Sequence, residues 1–114
     1  MIQIYHNPRC SKSRNGVALL ESLGKCFTVV DYLNEPIDKE TLKALVHKLK
    51  IAPIELVRKG ESIWKEHYKG QELSDEQIID ALIKHPKLIE RPIVVNGDKA
   101  VIGRPTENIQ KLFN

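Results

Sequence analysis

Two short apolar runs, Ile93-Val94-Val95 and Ala100-Val101-Ile102, stand on either side of Asn96-Gly97-Asp98-Lys99. β-Branched residues flanking an Asn-Gly pair specify a β-hairpin, because the reversal needs backbone conformations that Gly and Asn adopt at little cost. Pro92 opens the hairpin and Gly103-Arg104-Pro105 closes it. At the other end of the chain, Ile2 to His6 reads as a strand ended by Asn7-Pro8. Ser11 to Leu23 reads as a helix with Val17, Leu20 and Leu23 on one face and Gly24 as its stop, and Cys26 to Tyr32 as a second strand. That is a βαβ unit, whose right-handed crossover makes its two strands parallel neighbours.

Between these ends the pattern is helical. Asp38 is an N-cap, followed by Leu42, Leu45, Val46 and Leu49 at helical spacing. Pro53 opens a short segment, Ile54 to Arg58, that stops at Gly60, and a further turn is expected around Ile63 to Tyr68. Ser74-Asp75-Glu76-Gln77 is a capping box, with Leu73 and Ile78 as a hydrophobic staple, and its helix ends before Pro86. Pro105 suits the first turn of a final helix carrying Ile109, Leu112 and Phe113. The order implies an α/β chain with a mixed sheet of about four strands, a thioredoxin-like arrangement with a central helical insertion. A length of 114 residues with 41% hydrophobic content fits one domain, residues 1–114.

The formal charge of +3 comes from lysines scattered among acids, and aromatic residues make up only 5%, which argues against nucleic acid as a partner. No charged segment followed by an apolar one opens the chain, and no apolar run approaches the ~18 residues that span a bilayer. A cytoplasmic protein without a membrane partner is expected. His47, His67 and His85 have no ligand spacing, so no metal site is expected. Two cysteines are too few for a disulfide framework and start as thiols in a reducing compartment.

One of them sits in a distinctive place. Within Arg9-Cys10-Ser11-Lys12-Ser13-Arg14, Cys10 falls at the strand-to-helix turn, where unpaired N–H groups and the helix dipole favour a thiolate. Arg9, Lys12 and Arg14 add positive charge, and His6 either lowers the thiol's pKa further or only caps the strand. A free cysteine of pKa ~8.5 is about 3% thiolate at pH 7, and a drop of ~2 units makes it about 75% thiolate. Ser13 stands where a Cys-x-x-Cys motif has its second thiol. Its hydroxyl can donate to the thiolate but cannot form a disulfide, so the site calls for an external thiol. Cys26 is the other internal candidate, but it begins a strand and reads as core.

Of the 18 basic residues besides histidine, five are arginines: Arg9, Arg14, Arg58, Arg91 and Arg104. Arg58 ends a short helix, and Arg91 and Arg104 each precede a proline at the two ends of the hairpin, where binding residues concentrate. A guanidinium holds a tetrahedral oxyanion through paired hydrogen bonds that an ammonium cannot match. Convergence of Arg58, Arg91 and Arg104 makes an oxyanion site; the alternative is pairing with Glu55, Glu90 or Glu107.

The segment His6 to Arg14 and the blocks Ile89-Glu90-Arg91-Pro92-Ile93-Val94-Val95 and Ile102-Gly103-Arg104-Pro105-Thr106-Glu107 resemble, in order and over nearly the whole chain, the glutaredoxin-coupled arsenate reductase family, ArsC. The likeness is to its YfgD-like subgroup. It implies a thioredoxin-like fold with a helical insertion and Cys10 as the catalytic cysteine. Arg58, Arg91 and Arg104 become the arginines that bind arsenate, with His6, Ser13 and Arg14 tuning the thiol and Arg91-Pro92 a cis peptide near it. It further implies a monomeric enzyme of arsenic resistance with no tightly bound cofactor, glutathione as co-substrate and glutaredoxin as partner. Arg9 stands where family members often carry a small residue, which leaves the oxyanion open. A glutathione-linked oxidoreductase acting on another substrate is one alternative. Another is a non-catalytic Spx-like transcriptional interaction protein, although such proteins typically carry the Cys-x-x-Cys that this chain lacks.

Overall fold

The computed structural model describes residues 1–113. The chain gathers into two compact units, one made of Met1–Glu35 together with the chain from Arg91 onward, the other of Pro36–Glu90.

The first unit holds strand β1 (Ile2–Tyr5), helix α1 (Ser11–Ser22), strand β2 (Phe27–Val30), the hairpin strands β3 (Ile93–Asn96) and β4 (Lys99–Ile102), and a 3₁₀ helix, Thr106–Phe113. The four strands form one mixed sheet in the order β2-β1-β3-β4. β1 runs parallel to β2 and antiparallel to β3, and β3 pairs antiparallel with β4, as the βαβ and hairpin patterns require. The hairpin turns at Gly97-Asp98, between the paired residues Asn96 and Lys99. Its positive φ, 64°, falls on Gly97, the first central position of a type II′ turn.

α1 ends in a Schellman motif: Gly24, with φ 68°, donates to Glu21 O, and Lys25 donates to Leu20 O. Leu23 is therefore the C-cap rather than part of the packed face, and it is exposed where the sequence pattern expected it buried. The face α1 does bury is Ser13, Gly16 and Leu20. Leu20 joins Ile4, Val94, Ile109 and Leu112 in the core, with Val17, Leu19, Phe27, Val101 and Phe113 packed around them.

β2 is shorter than its sequence pattern. Beyond Val30 the chain turns, with Asn34 and Glu35 N–H groups donating to Asp31 O. At its other end Cys26 lies before the first paired residue of an edge strand and is exposed, which corrects the expectation that it is core. Pro105 precedes the final helix instead of opening it, and both Arg91-Pro92 and Arg104-Pro105 are cis.

The second unit is helical: α2 (Lys39–Leu49), a 3₁₀ turn at Pro53–Leu56, α3 (Ser62–His67), α4 (Asp75–Lys84) and a 3₁₀ turn at Pro86–Leu88. Asp38 caps α2 by accepting from Thr41 N over 2.7 Å. The capping box of α4 is reciprocal, Gln77 N to Ser74 Oγ at 3.2 Å and Ser74 N to Gln77 Oε1 at 2.8 Å. α2 and α4 pack together through Leu42, Leu45 and Val46 on one and Ile78, Ile79, Ala81 and Leu82 on the other. On the solvent side Lys39 bridges Glu76 (2.6 Å) and Asp80 (3.0 Å).

Candidate functional site

Asn7-Pro8 carries the chain from β1 into a tight turn, closed by Cys10 N donating to Asn7 O over 3.0 Å. Asn7 is buried and also braces the turn from its side chain, Oδ1 accepting from Arg9 N at 3.0 Å. Cys10 is the N-cap of α1, and no side chain caps the helix there. The first amides of the helix remain available to the thiol itself.

Burial pushes the Cys10 thiol up. Against it work the Ser13 N–H, a hydrogen bond from the Arg91 side chain, the Lys12 N–H and the positive charge of Arg91, and the balance brings the thiol from 9.0 down to about 7. Arg104 Nη2 also lies 3.4 Å from Sγ. Arg104 is held in that pose by its Nε, which donates to Arg91 O over 2.7 Å, while its own carbonyl accepts from Asn108 Nδ2 over 3.0 Å. Arg91 is buried, at 9% exposure, so its charge acts at close range through little water. Two of the three arginines singled out from sequence thus address one sulfur.

Arg58 belongs to the second unit. Its Nε faces Glu61 at 3.8 Å and Glu90 at 3.7 Å, and its N–H donates to Leu88 O beside the Val57–Ile89 bridge. Glu90, foreseen as a pairing partner for an arginine, takes that place here.

The thiol-tuning residues have a different geometry from the one expected. Ser13 is fully buried, and its hydroxyl is engaged by His6 Nδ1 at 2.6 Å and by Asn7 N at 2.9 Å. The group Ser13 offers the thiol is its main-chain N–H, not its hydroxyl. Burial lowers the pKa of His6, the Asp31 charge raises it and the Arg14 charge lowers it. Arg14 is exposed and hydrogen-bonds Pro8 O over 2.9 Å, so it steadies the turn and biases His6.

Pro92 lies under the site, wedged between two glycines. A Cβ on Gly16 or on Gly103 falls 2.9 Å from Pro92 Cγ, closer than real side chains approach. Only glycine lets α1 and the end of β4 close on that ring. Gly103 was read from the sequence only as part of the segment that closes the hairpin, and Gly16 passed unremarked, although a glycine inside a helix costs about 1 kcal/mol against alanine and so signals a packing reason. Asn7 and Asp31 were also missed, the first because Asn-Pro reads only as a strand end.

Cys26 stands apart from this site. The register pairs Ile2 with Phe27 and Tyr5 with Val30, so Cys26 precedes the sheet at one end while Cys10 follows it at the other. At ~3.3 Å per residue that is about 13 Å along the strand alone, beyond the ~7 Å Cα separation a disulfide tolerates. Both cysteines are free.

The fold and sequence have close counterparts. The ArsC family model matches residues 5–112. The chain is 42% identical over 114 residues to the arsenate reductase of Neisseria meningitidis serogroup A, covering 98% of this chain and 97% of that one. It is 45% identical over 113 residues to the uncharacterized protein YfgD of Escherichia coli (strain K12), covering 97% and 95%. Among solved structures, the arsenate reductase from Vibrio cholerae superposes with a TM-score of 0.92 at 43% identity, over 96% of this chain and 95% of that one. The sheet order, the helical insertion and these matches make the fold thioredoxin-like, and the chain belongs to the ArsC family.

Proposed function

We propose that this chain reduces arsenate to arsenite with glutathione and glutaredoxin as external thiols. The observation that carries the reading is a single thiol, titrating near pH 7, with the Arg104 guanidinium 3.4 Å away and the Arg91 side chain bonded to the same sulfur. A nucleophile ringed by planar cations suits a tetrahedral oxyanion that must be bound and attacked at its centre. Relatives named arsenate reductase support the choice of arsenate.

Arg91 and Arg104 hold the arsenate oxygens through paired N–H donors, and Arg58 is assigned as a third such cation on sequence resemblance. The Cys10 thiolate attacks arsenic; an S–As bond forms and one As–O bond breaks, its oxygen leaving as water with protons from arsenate and solvent. A glutathione thiol displaces a second oxygen in the same way. A glutaredoxin thiolate then attacks the glutathione sulfur. The electrons of that S–As bond pass to arsenic, which falls from the pentavalent to the trivalent state while glutathione and glutaredoxin become a mixed disulfide. Water releases arsenite and restores the Cys10 thiol. No resident cofactor takes part, and two free thiols suit a cytoplasm rich in glutathione. Among the described residues no helix is long and apolar enough to cross a membrane.

The test is NADPH oxidation coupled through glutathione reductase, glutathione and glutaredoxin, with and without arsenate. Arsenate-dependent turnover that disappears in Cys10→Ser supports the proposal. Its absence, with a wild-type thiol still reactive at pH 7, rules out arsenate and moves the reading to another glutathione-linked substrate.

A further inference from the structure

A reductant must come to Cys10 from solvent, because Ser13 stands where a second thiol would and Cys26 lies at the other end of the sheet. The chain on either side of Cys10 is open to it: Pro8, Arg9, Ser11, Lys12, Arg14 and Asn15 are all exposed. Three of these residues are cations. None of the three has a carboxylate partner among the described residues, whereas Lys39, Lys43 and Arg58 each have one. From Met1 to Gly24 the one acid is Glu21, near the far end of α1.

The turn fixes where these charges start. Asn7 Oδ1 accepts from Arg9 N and Asn7 O from Cys10 N, each over 3.0 Å, which pins the Arg9 backbone beside the thiol while its side chain stays in water. Arg14 Nη1 donates to Pro8 O over 2.9 Å, which brings a second guanidinium onto the same turn, one residue from Arg9. Like charges so placed repel weakly in water but attract an anion jointly. The acidity of Cys10 draws on the Ser13 and Lys12 amides and on Arg91, so it does not explain why three more cations gather here.

We infer that Arg9, Lys12 and Arg14 form an anion-attracting rim on which glutathione docks through its carboxylates before its thiol reaches the group held at Cys10. Glutathione carries a glycyl and a γ-glutamyl carboxylate against one ammonium, so it is a net anion at neutral pH. Exposed charge pairs are individually weak and fade with salt, so the rim speeds the encounter rather than building a tight site. The inference rests on Cys10 being the reactive thiol and glutathione its reductant in the proposed function, but not on arsenate being the substrate.

A Cys26→Ser protein carrying a pyridyl disulfide on Cys10 reads the docking step without arsenate. The incoming thiolate attacks the Cys10 sulfur and a new S–S bond forms; the electron pair of the old bond leaves with the pyridine-2-thiol, which takes up a proton and is followed by its absorbance. Glutathione is compared with its dimethyl ester, which keeps the thiol and loses both carboxylate charges, each rate being expressed per thiolate. Glutathione is expected to react about ten-fold faster at low salt, with the advantage fading at about 0.5 M salt. Arg9→Gln combined with Lys12→Gln is expected to cut the advantage to about two-fold, since Arg91 and Arg104 remain, and Arg9→Lys with Lys12→Arg to retain most of it. An advantage unchanged in the Gln variant overturns the inference, as does an ester that matches glutathione in the parent protein. A charge preference without arsenate turnover refutes the substrate alone, and glutathione-dependent arsenate turnover without the preference refutes the rim alone.

Discussion

Arg104 is tied to the backbone of Arg91: its Nε donates to the Arg91 carbonyl over 2.7 Å, and its Nη2 is then 3.4 Å from the Cys10 sulfur. The contact ties together the two chain segments at the open end of the hairpin, where Ile93 pairs with Ile102, and it makes the pose of one guanidinium depend on the main chain of the other.

Replacing Arg104 by Lys keeps the charge but removes the fork that serves the carbonyl and the sulfur together. Hydrogen bonds to charged groups contribute about 1.5–3 kcal/mol, so kcat/KM for arsenate is expected to fall roughly ten- to hundred-fold. Steady-state kinetics of Arg104→Lys check this, and wild-type values would remove Arg104 from the site.

The thiol's acidity is open to titration. Its pKa lies below the ordinary value, at about 7 rather than 9.0, so the reactive thiolate gains population as pH rises through 7 and loses it below. Iodoacetamide alkylation of Cys10 is expected to reach half its limiting rate near pH 7 in the wild type. Because Arg91 hydrogen-bonds the thiolate and adds its charge, Arg91→Gln is expected to move that midpoint upward.

A methyl group at position 16 meets the Pro92 ring at 2.9 Å, with Ile109 Cδ1 at 3.2 Å and Ile4 Cδ1 at 3.3 Å. The isoleucine methyls need give only a few tenths of an ångström, but the Pro92 ring is tied to its own backbone and cannot swing aside, so Gly16→Ala is expected to destabilise by about 1–3 kcal/mol despite alanine's better helix propensity. Chemical denaturation measures it, and a variant as stable as the wild type would mean that α1 can shift freely.

In the second unit, Ser74→Ala removes the acceptor of Gln77 N and breaks the reciprocal cap of α4. A loss of about 1 kcal/mol is expected by the same measurement. Ser74→Asp, which restores an acceptor, is expected to recover most of it.

Much of this was legible in the sequence because it rests on local rules. The Asn-Gly hairpin, the caps at Asp38 and Ser74 and the parallel crossover each follow from a few adjacent residues, and the structure has each of them. Cys10 at the head of α1 was equally visible. What could not be read depended on pairing across the chain. Ser13 was expected to turn its hydroxyl to the thiol, yet His6 and Asn7 claim it once β1 is docked beside α1. Cys26 and Leu23 were assigned to the core from their neighbours' hydrophobicity, but one lies before an edge strand and the other beyond a helix end. The residue-by-residue register of β1 against β2 was out of reach as well, since no local pattern encodes it.

That same register sets the kinetic order of the proposed reaction. With Cys26 at the far end of the sheet from Cys10, no intramolecular exchange competes with the encounter between loaded protein and free thiol. Clearance of the arsenic adduct is then a bimolecular event, with turnover rising in proportion to reductant until that step ceases to limit. In that proposed reaction a molecule built this way would have no internal clock, and its pace would be dictated by the thiol concentration around it.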